Sequence, residues 1–136
     1  MIFAAGLGTR LQQLTDHCPK ALVEVDHTPL LGLVLDKLRV CGFNDIVVNV
    51  HHFPDLIIDY LHSYLDASKM HIQVSDERDH LLNTGGGLKR AFPLLFPNNE
   101  EEPVLIHNVD ILSDADLKKI YQDIQNSDAL LLVSER

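Results

Sequence analysis

The chain has 136 residues, of which 46% are hydrophobic, and its formal net charge is −9. That length bounds one domain, and a domain near this size buries roughly 68% of the surface its unfolded chain exposes. The acidic balance excludes a broad nucleic-acid-binding surface, and no apolar run is long enough for a signal-peptide core or a membrane span. Cys18 and Cys41 form no Cys-x-x-Cys pair, so they read as free thiols of a cytoplasmic protein. The pair His51-His52 reads as loop.

In chain order, Ile2 to Ala5 is a short apolar run, expected as a buried first strand, followed by loop over residues 6–20. Thr28-Pro29 carries the signal of a helix start, with Thr as N-cap and Pro at the first helical position. Leu30, Leu31, Val34, Leu35, Leu38 and Cys41 make that helix's apolar stripe, and Gly42 ends it. A second strand is expected over Asp45 to Val50. A second helix opens at Pro54, with Leu56, Ile57, Tyr60, Leu61, Tyr64 and Leu65 on one face. His71 to Ser75 is a third strand and Asp76 to Thr84 a polar loop. Gly85-Gly86-Gly87 begins a third helix that runs through Phe92, where Pro93 blurs its end. The acidic run Asn98 to Glu102 is a solvated connection, and Val104 to Ile106 a fourth buried strand. Ser113 and Asp116 have capping-box spacing before Leu117, Ile120, Tyr121 and Ile124. Ala129 to Val133 is a fifth apolar strand.

This alternation predicts an α/β fold: a Rossmann-like parallel sheet with helices on both faces. Such sheets bind ligands beyond the carboxyl ends of their strands, where the strand order reverses. In a partial 3-2-1-4 order, the loop after the first strand meets the loop after the fourth. Gly6-Leu7-Gly8-Thr9-Arg10 and His107-Asn108-Val109-Asp110 therefore converge.

The first of these loops carries the chemistry. Two glycines permit close backbone approach, and Arg10 and Lys20 add a planar fork of donors and a compact point charge. Glycine turns flanked by cations suit polyphosphate. A Rossmann fingerprint would need glycine where Leu11 stands, and a Walker A loop would need Gly-Lys-Ser/Thr where the chain has Gly8-Thr9-Arg10.

The pattern Gly-x-Gly-Thr-Arg, a short spacer, then Pro19-Lys20 resembles that of the sugar-phosphate nucleotidyltransferases, the nucleoside-diphosphate-sugar pyrophosphorylases. The resemblance runs almost throughout Met1 to Val25. It implies transfer of a nucleoside monophosphate from a nucleoside triphosphate to a sugar-1-phosphate, or a similar phospho-alcohol, with release of pyrophosphate. It further implies that Arg10 and Lys20 are catalytic, holding the triphosphate and the reacting phosphates. Ala5, Gly6, Gly8, Thr9 and Arg10 would bind the nucleotide, and Asp110 would hold Mg²⁺. Asn83-Thr84-Gly85-Gly86-Gly87 is similar to the family's Thr-Ala/Gly-Gly segment, so Gly85 and Gly86 would lie against the nucleotide. Asp76 and Glu77 fall where family members read the base edge. Asp114 and Asp116 read as charges at a helix start.

Family catalytic domains run longer than this chain, and their later part supplies a second metal carboxylate and most of the acceptor pocket. Residues 1–136 are thus expected to be one nucleotide-binding domain, the N-terminal part of a longer nucleotidyltransferase domain. Apolar surface left uncovered on such a part would favour a homo-oligomer. A non-catalytic nucleotide-binding or regulatory module with the same fold is the alternative reading.

Overall fold

The computed structural model describes residues 1–67, 69–98, 102–124 and 127–133. Its elements are β1 (Ile2–Phe3), β2 (Glu24–Val25), β3 (Thr28–Pro29), α1 (Leu30–Val40), β4 (Asp45–Val50), α2 (Pro54–Ala67), β5 (His71–Asp76), α3 (Asn83–Leu95), β6 (His107–Asn108) and α4 (Leu117–Asp123). Four strands form a parallel sheet in the order β5-β4-β1-β6. This is the expected third-second-first-fourth order. One cross-strand row holds Asn108, Phe3, Asn49 and Ser75, because Phe3 registers with both Asn108 and Asn49, and Asn49 with Ser75.

Side chains of β4 alternate between the sheet's faces. Ile46, Val48 and Val50 join the larger core with Leu31, Val34, Leu35 and Leu38 of α1, Ile57 and Leu61 of α2, and Leu117 of α4. Val47 packs on the opposite face with Met1, Phe3 and the α3 residues Leu88 and Ala91. Helices therefore cover both faces, and α3 faces Val47 and Asn49.

Several boundaries differ from the sequence-based expectations. The stretch expected as loop contains two 3-10 segments, Thr9–Thr15 and Lys20–Leu22. Thr28 is not the N-cap of α1, nor is Pro29 its first residue: Thr28-Pro29 is β3, paired antiparallel with β2, and Pro29 takes the N-cap position without a side-chain hydrogen bond. The connecting residues Asp26 and His27 have φ of 50° and 61°, so a two-residue turn of the primed type closes the hairpin. Gly42, at φ 90°, does end α1. Leu56 turns away from the α2 core face and is exposed. α3 starts at Asn83, not Gly85, and continues past Pro93 to Leu95. Asp116 is itself the N-cap of α4, accepting from the Lys119 N–H at 3.0 Å, so Ser113 closes no capping box.

The fourth strand lies just after Val104-Leu105-Ile106, at His107–Asn108. The ladder is set by hydrogen bonds from His107 N–H to Met1 O (3.0 Å) and from Val109 N–H to Phe3 O (3.1 Å). Ala129 to Val133 form no strand. No described strand offers them a ladder, and Leu131 and Val133 are 82% and 80% exposed.

Candidate nucleotide-binding site

β1 ends at Phe3 and β6 at Asn108, side by side and parallel, so the chain leaves both strands at the same sheet edge. A cleft of about 810 Å³ opens there, within the range of small-molecule sites. Ala5, Gly6, Gly8, Thr9, Arg10, Lys20, Glu77 and Asp110 all border it. Gly85 and Gly86 do not, because α3 begins early enough to carry them into its first turn. Asn83 and Thr84 border the cleft in their place. Asp76 is turned to the surface, where its carboxylate accepts from Arg78 Nε at 2.8 Å.

The two leading glycines differ. Gly8 sits at φ 69°, and a Cβ there would stand 2.7 Å from Thr15 Cγ2 and 3.2 Å from Lys20 Cβ. Its glycine is demanded by the chain's own turn. Around Gly6 nothing lies within 4 Å of the place a Cβ would take, so its bare backbone faces open space. Thr15 closes the turn by donating from Oγ1 to Gly8 O at 3.2 Å and to Gln12 O at 3.0 Å. Lys20 follows Pro19, whose φ of −64° is the ring-fixed value and directs the chain into the second 3-10 segment.

Lys20 Nζ donates to Asp110 Oδ2 across the cleft. Burial pushes the Asp110 carboxyl up. The Lys20 ammonium hydrogen-bonded to it, a backbone hydrogen bond and the field of Arg10 outweigh that and hold it below the ordinary carboxylate value. Arg10 is exposed, and it forms no ion pair with any described residue. Backbone donors, the unpaired Arg10 guanidinium, the Lys20 ammonium and the Asp110 carboxylate thus share a cleft, an arrangement that can receive a polyanion together with a hard cation.

Beneath this edge lies Asn49, which pattern reading passed over, paired with Glu77, which was expected at the base edge. Asn49 Oδ1 accepts from the N–H groups of Ala4 (2.8 Å) and Ala5 (3.3 Å), and Asn49 Nδ2 donates to Glu77 Oε1 at 2.8 Å. Asn49 is 2% exposed and Glu77 fully buried. The available signal was a single amide inside the apolar run Ile46 to Val50. Gly87 was missed as well: a Cβ there would stand 2.7 Å from Glu77 Oε1 and 2.9 Å from Asn49 Nδ2.

Comparison with known proteins agrees with the fold. The chain matches the model of the MobA-like NTP transferase domain over residues 1–136 and belongs to that family. It is 45% identical over 112 residues to an N-acetylmuramate alpha-1-phosphate uridylyltransferase of Caulobacter vibrioides, covering 81% of this chain and 44% of that protein. Against a mannose-1-phosphate guanyltransferase of Aspergillus oryzae the identity is 32%, covering 88% of this chain and 32% of the relative. Crystal structures of HddC from Yersinia pseudotuberculosis superpose with TM-scores of 0.78 and, for the complex with GMP-PN, 0.77. Their identities are 28% and 27%, and each match covers 93% of this chain and 54% of HddC. The chain spans about half the length of the uridylyltransferase and of HddC. Among the described residues no helix is long and apolar enough to cross a membrane.

Proposed function

We propose that this chain forms the nucleotide-binding part of a sugar-phosphate nucleotidyltransferase. The enzyme joins a nucleoside monophosphate from a nucleoside triphosphate to a sugar-1-phosphate and releases pyrophosphate. The observation that carries this reading is the meeting of the open Gly6 backbone, Arg10, Lys20 and Asp110 at one cleft. It is supported by the names of the relatives, a uridylyltransferase and a guanyltransferase that act on sugar phosphates.

In this reaction an acceptor phosphate oxygen forms a bond to the α-phosphorus as the bond from that phosphorus to the β-phosphate's bridging oxygen breaks. The attacking oxygen is already an anion at neutral pH, so no general base is required. Positioning and charge neutralisation do the work. Gly6 and Thr9 offer backbone donors to the triphosphate, and Arg10 neutralises the charge that develops on the leaving pyrophosphate. Lys20 approaches the α-phosphate or the incoming phosphate after leaving Asp110.

The donor set fits Mg²⁺. Among the described residues no cluster of three His, Cys, Asp or Glu side chains forms a dedicated cage. Asp110 is a hard oxygen ligand on the cleft, and Mg²⁺ is typically held by one or two carboxylates plus substrate phosphates. Asp110 would hold it, and the ion would offset phosphate charge. The two free cysteines fit a cytoplasmic setting.

Calorimetric titration with UTP, GTP and CTP in the presence of Mg²⁺ tests this reading. Arg10→Ala is expected to weaken the preferred nucleotide by about 1.5–3 kcal/mol, the range for a charge-assisted hydrogen bond, with little change in Tm. Equal affinity in variant and parent would remove Arg10 from the site. Nucleotide binding without pyrophosphate release, in an assay on a chain extended to the relatives' full length, would favour the regulatory module instead.

A further inference from the structure

We propose that Asn49 and Glu77 are positioning residues for the phosphate-binding loop, and that Glu77 acts through Asn49 instead of reading the nucleobase. This inference rests on the nucleotide-binding reading of the cleft.

The starting point is a backbone requirement. Ala4 and Ala5 follow the last ladder residue of β1, and both are buried. Their N–H groups need acceptors. One side-chain oxygen, Asn49 Oδ1, serves both, at 2.8 Å and 3.3 Å. Asn49 thereby sets the direction in which the chain leaves the sheet, immediately before Gly6. An amide can do this only in one orientation, since its other end is a donor pair that would meet the two N–H groups head-on. A carboxylate is acceptor-only when ionised. Placed 2.8 Å from Asn49 Nδ2, Glu77 Oε1 fixes which end of the amide faces β1.

Glu77 is itself held from several sides. Its N–H donates to Val50 O at 2.7 Å, its C=O accepts from His80 N–H at 3.0 Å, and Oε2 accepts from Leu82 N–H at 3.4 Å. The last contact reaches the start of α3, where Asn83 and Thr84 border the cleft. One buried pair thus ties the Gly6 side of the cleft to the Asn83 side. The two side chains meet beside Gly87, where a Cβ would collide with both. Ion pairing does not explain Glu77, since it has none with a described residue.

The test exploits the polarity of the pair. Asn49→Asp sets two carboxylates against each other. Adding Glu77→Gln restores complementarity with the direction reversed: the new carboxylate at position 49 still accepts from Ala4 and Ala5, and the new amide at position 77 donates to it. Amide hydrogen exchange at Ala4 and Ala5 reads the clamp without any ligand. Calorimetry with a Mg²⁺–nucleoside triphosphate reads its effect on the site. The expected result is loss of protection and about tenfold weaker nucleotide binding in N49D, with both recovered in N49D/E77Q. If N49D fails to fold, the double variant alone carries the test, because it must fold and bind as the parent does.

Parental nucleotide affinity in a folded N49D whose Ala4 and Ala5 exchange freely would overturn the positioning role. So would a folded double variant that binds as weakly as N49D. A parent protein that binds no nucleoside triphosphate would instead overturn the reading of the cleft, and the positioning role with it, even where the exchange pattern holds.

Discussion

The three glycines opening α3 look equivalent in the sequence and meet three different surroundings. Gly85 faces open space, Gly86 would bring a Cβ to 2.8 Å from Leu82 Cβ, and Gly87 would press one into the Asn49–Glu77 pair. Gly85→Ala is expected to raise stability by about 0.5–1 kcal/mol, since alanine loses less backbone freedom in a helix. Gly87→Ala is expected to lower it by about 1–3 kcal/mol, the usual range for overpacking a close-packed interior. Urea melts of the two variants check both signs. Gly85→Ala should also bind nucleotide as the parent does, because Gly85 does not border the cleft. A loss of affinity there would bring Gly85 back into contact with the ligand. No repeat of identical letters could reveal this division, because it depends on which residues stand opposite each glycine in three dimensions.

β6 is short and sits at a sheet edge, and its buried residue is titratable. Burial lowers the His107 pKa below its ordinary 6.5, and the nearby charges of Lys37 and the Met1 amine push the same way. The Asn108 carbonyl, accepting from the ring at 2.8 Å, and the Asp110 carboxylate oppose that shift only in part. The unfolded chain therefore takes up the proton first on acidification. Stability attributable to His107 is fully present above pH 6.5 and is lost as pH falls from there toward the lower folded value. Denaturant melts from neutral to mildly acid pH should show a shallower pH slope in His107→Gln than in the parent. Parallel slopes would exclude His107 as a source of acid sensitivity.

The same strand shows why some elements were legible and others not. α1 and β4 announce themselves because their apolar residues recur with the helix period or fill one short run, and both are buried as those patterns require. Val104-Leu105-Ile106 is apolar too, yet the ladder lies after it. β1 presents only two residues to pair with, and three apolar letters do not set a register. Thr28 fits a helix cap locally, yet the helix starts one residue later, with Pro29 at the cap. What overrides it is the hairpin turn at Asp26-His27, two residues without glycine that nonetheless take positive φ.

At the scale of the molecule, topology carried more of the site than motif did. The strand order alone predicts that Asp110 meets the Gly6 loop, and the Lys20–Asp110 contact links positions 90 apart in the chain. Asn49 escaped that reasoning because it sits within a strand, where pattern reading looks for apolar residues, and Glu77, singled out for the base edge, turns instead to Asn49. The exposed run at Leu130 to Val133 marks the opposite failure, an apolar segment to which no described element offers a partner.

The Lys20–Asp110 contact has a kinetic consequence. With Lys20 answering Asp110, Arg10 is the one unpaired cation among the described residues bordering the cleft, in a chain whose net charge is −9. A nucleoside triphosphate approaching from a distance meets the field of the whole protein before it feels Arg10, and that field repels it. Dissolved salt shortens the reach of such a field, to about 10 Å at 0.1 M. Capture should therefore quicken as salt is first added, opposite to the behaviour of proteins that draw anions in. Stopped-flow mixing across a salt series reads the sign directly, and a rate that falls from the outset would mean that the cations at the cleft mouth dominate even the approach.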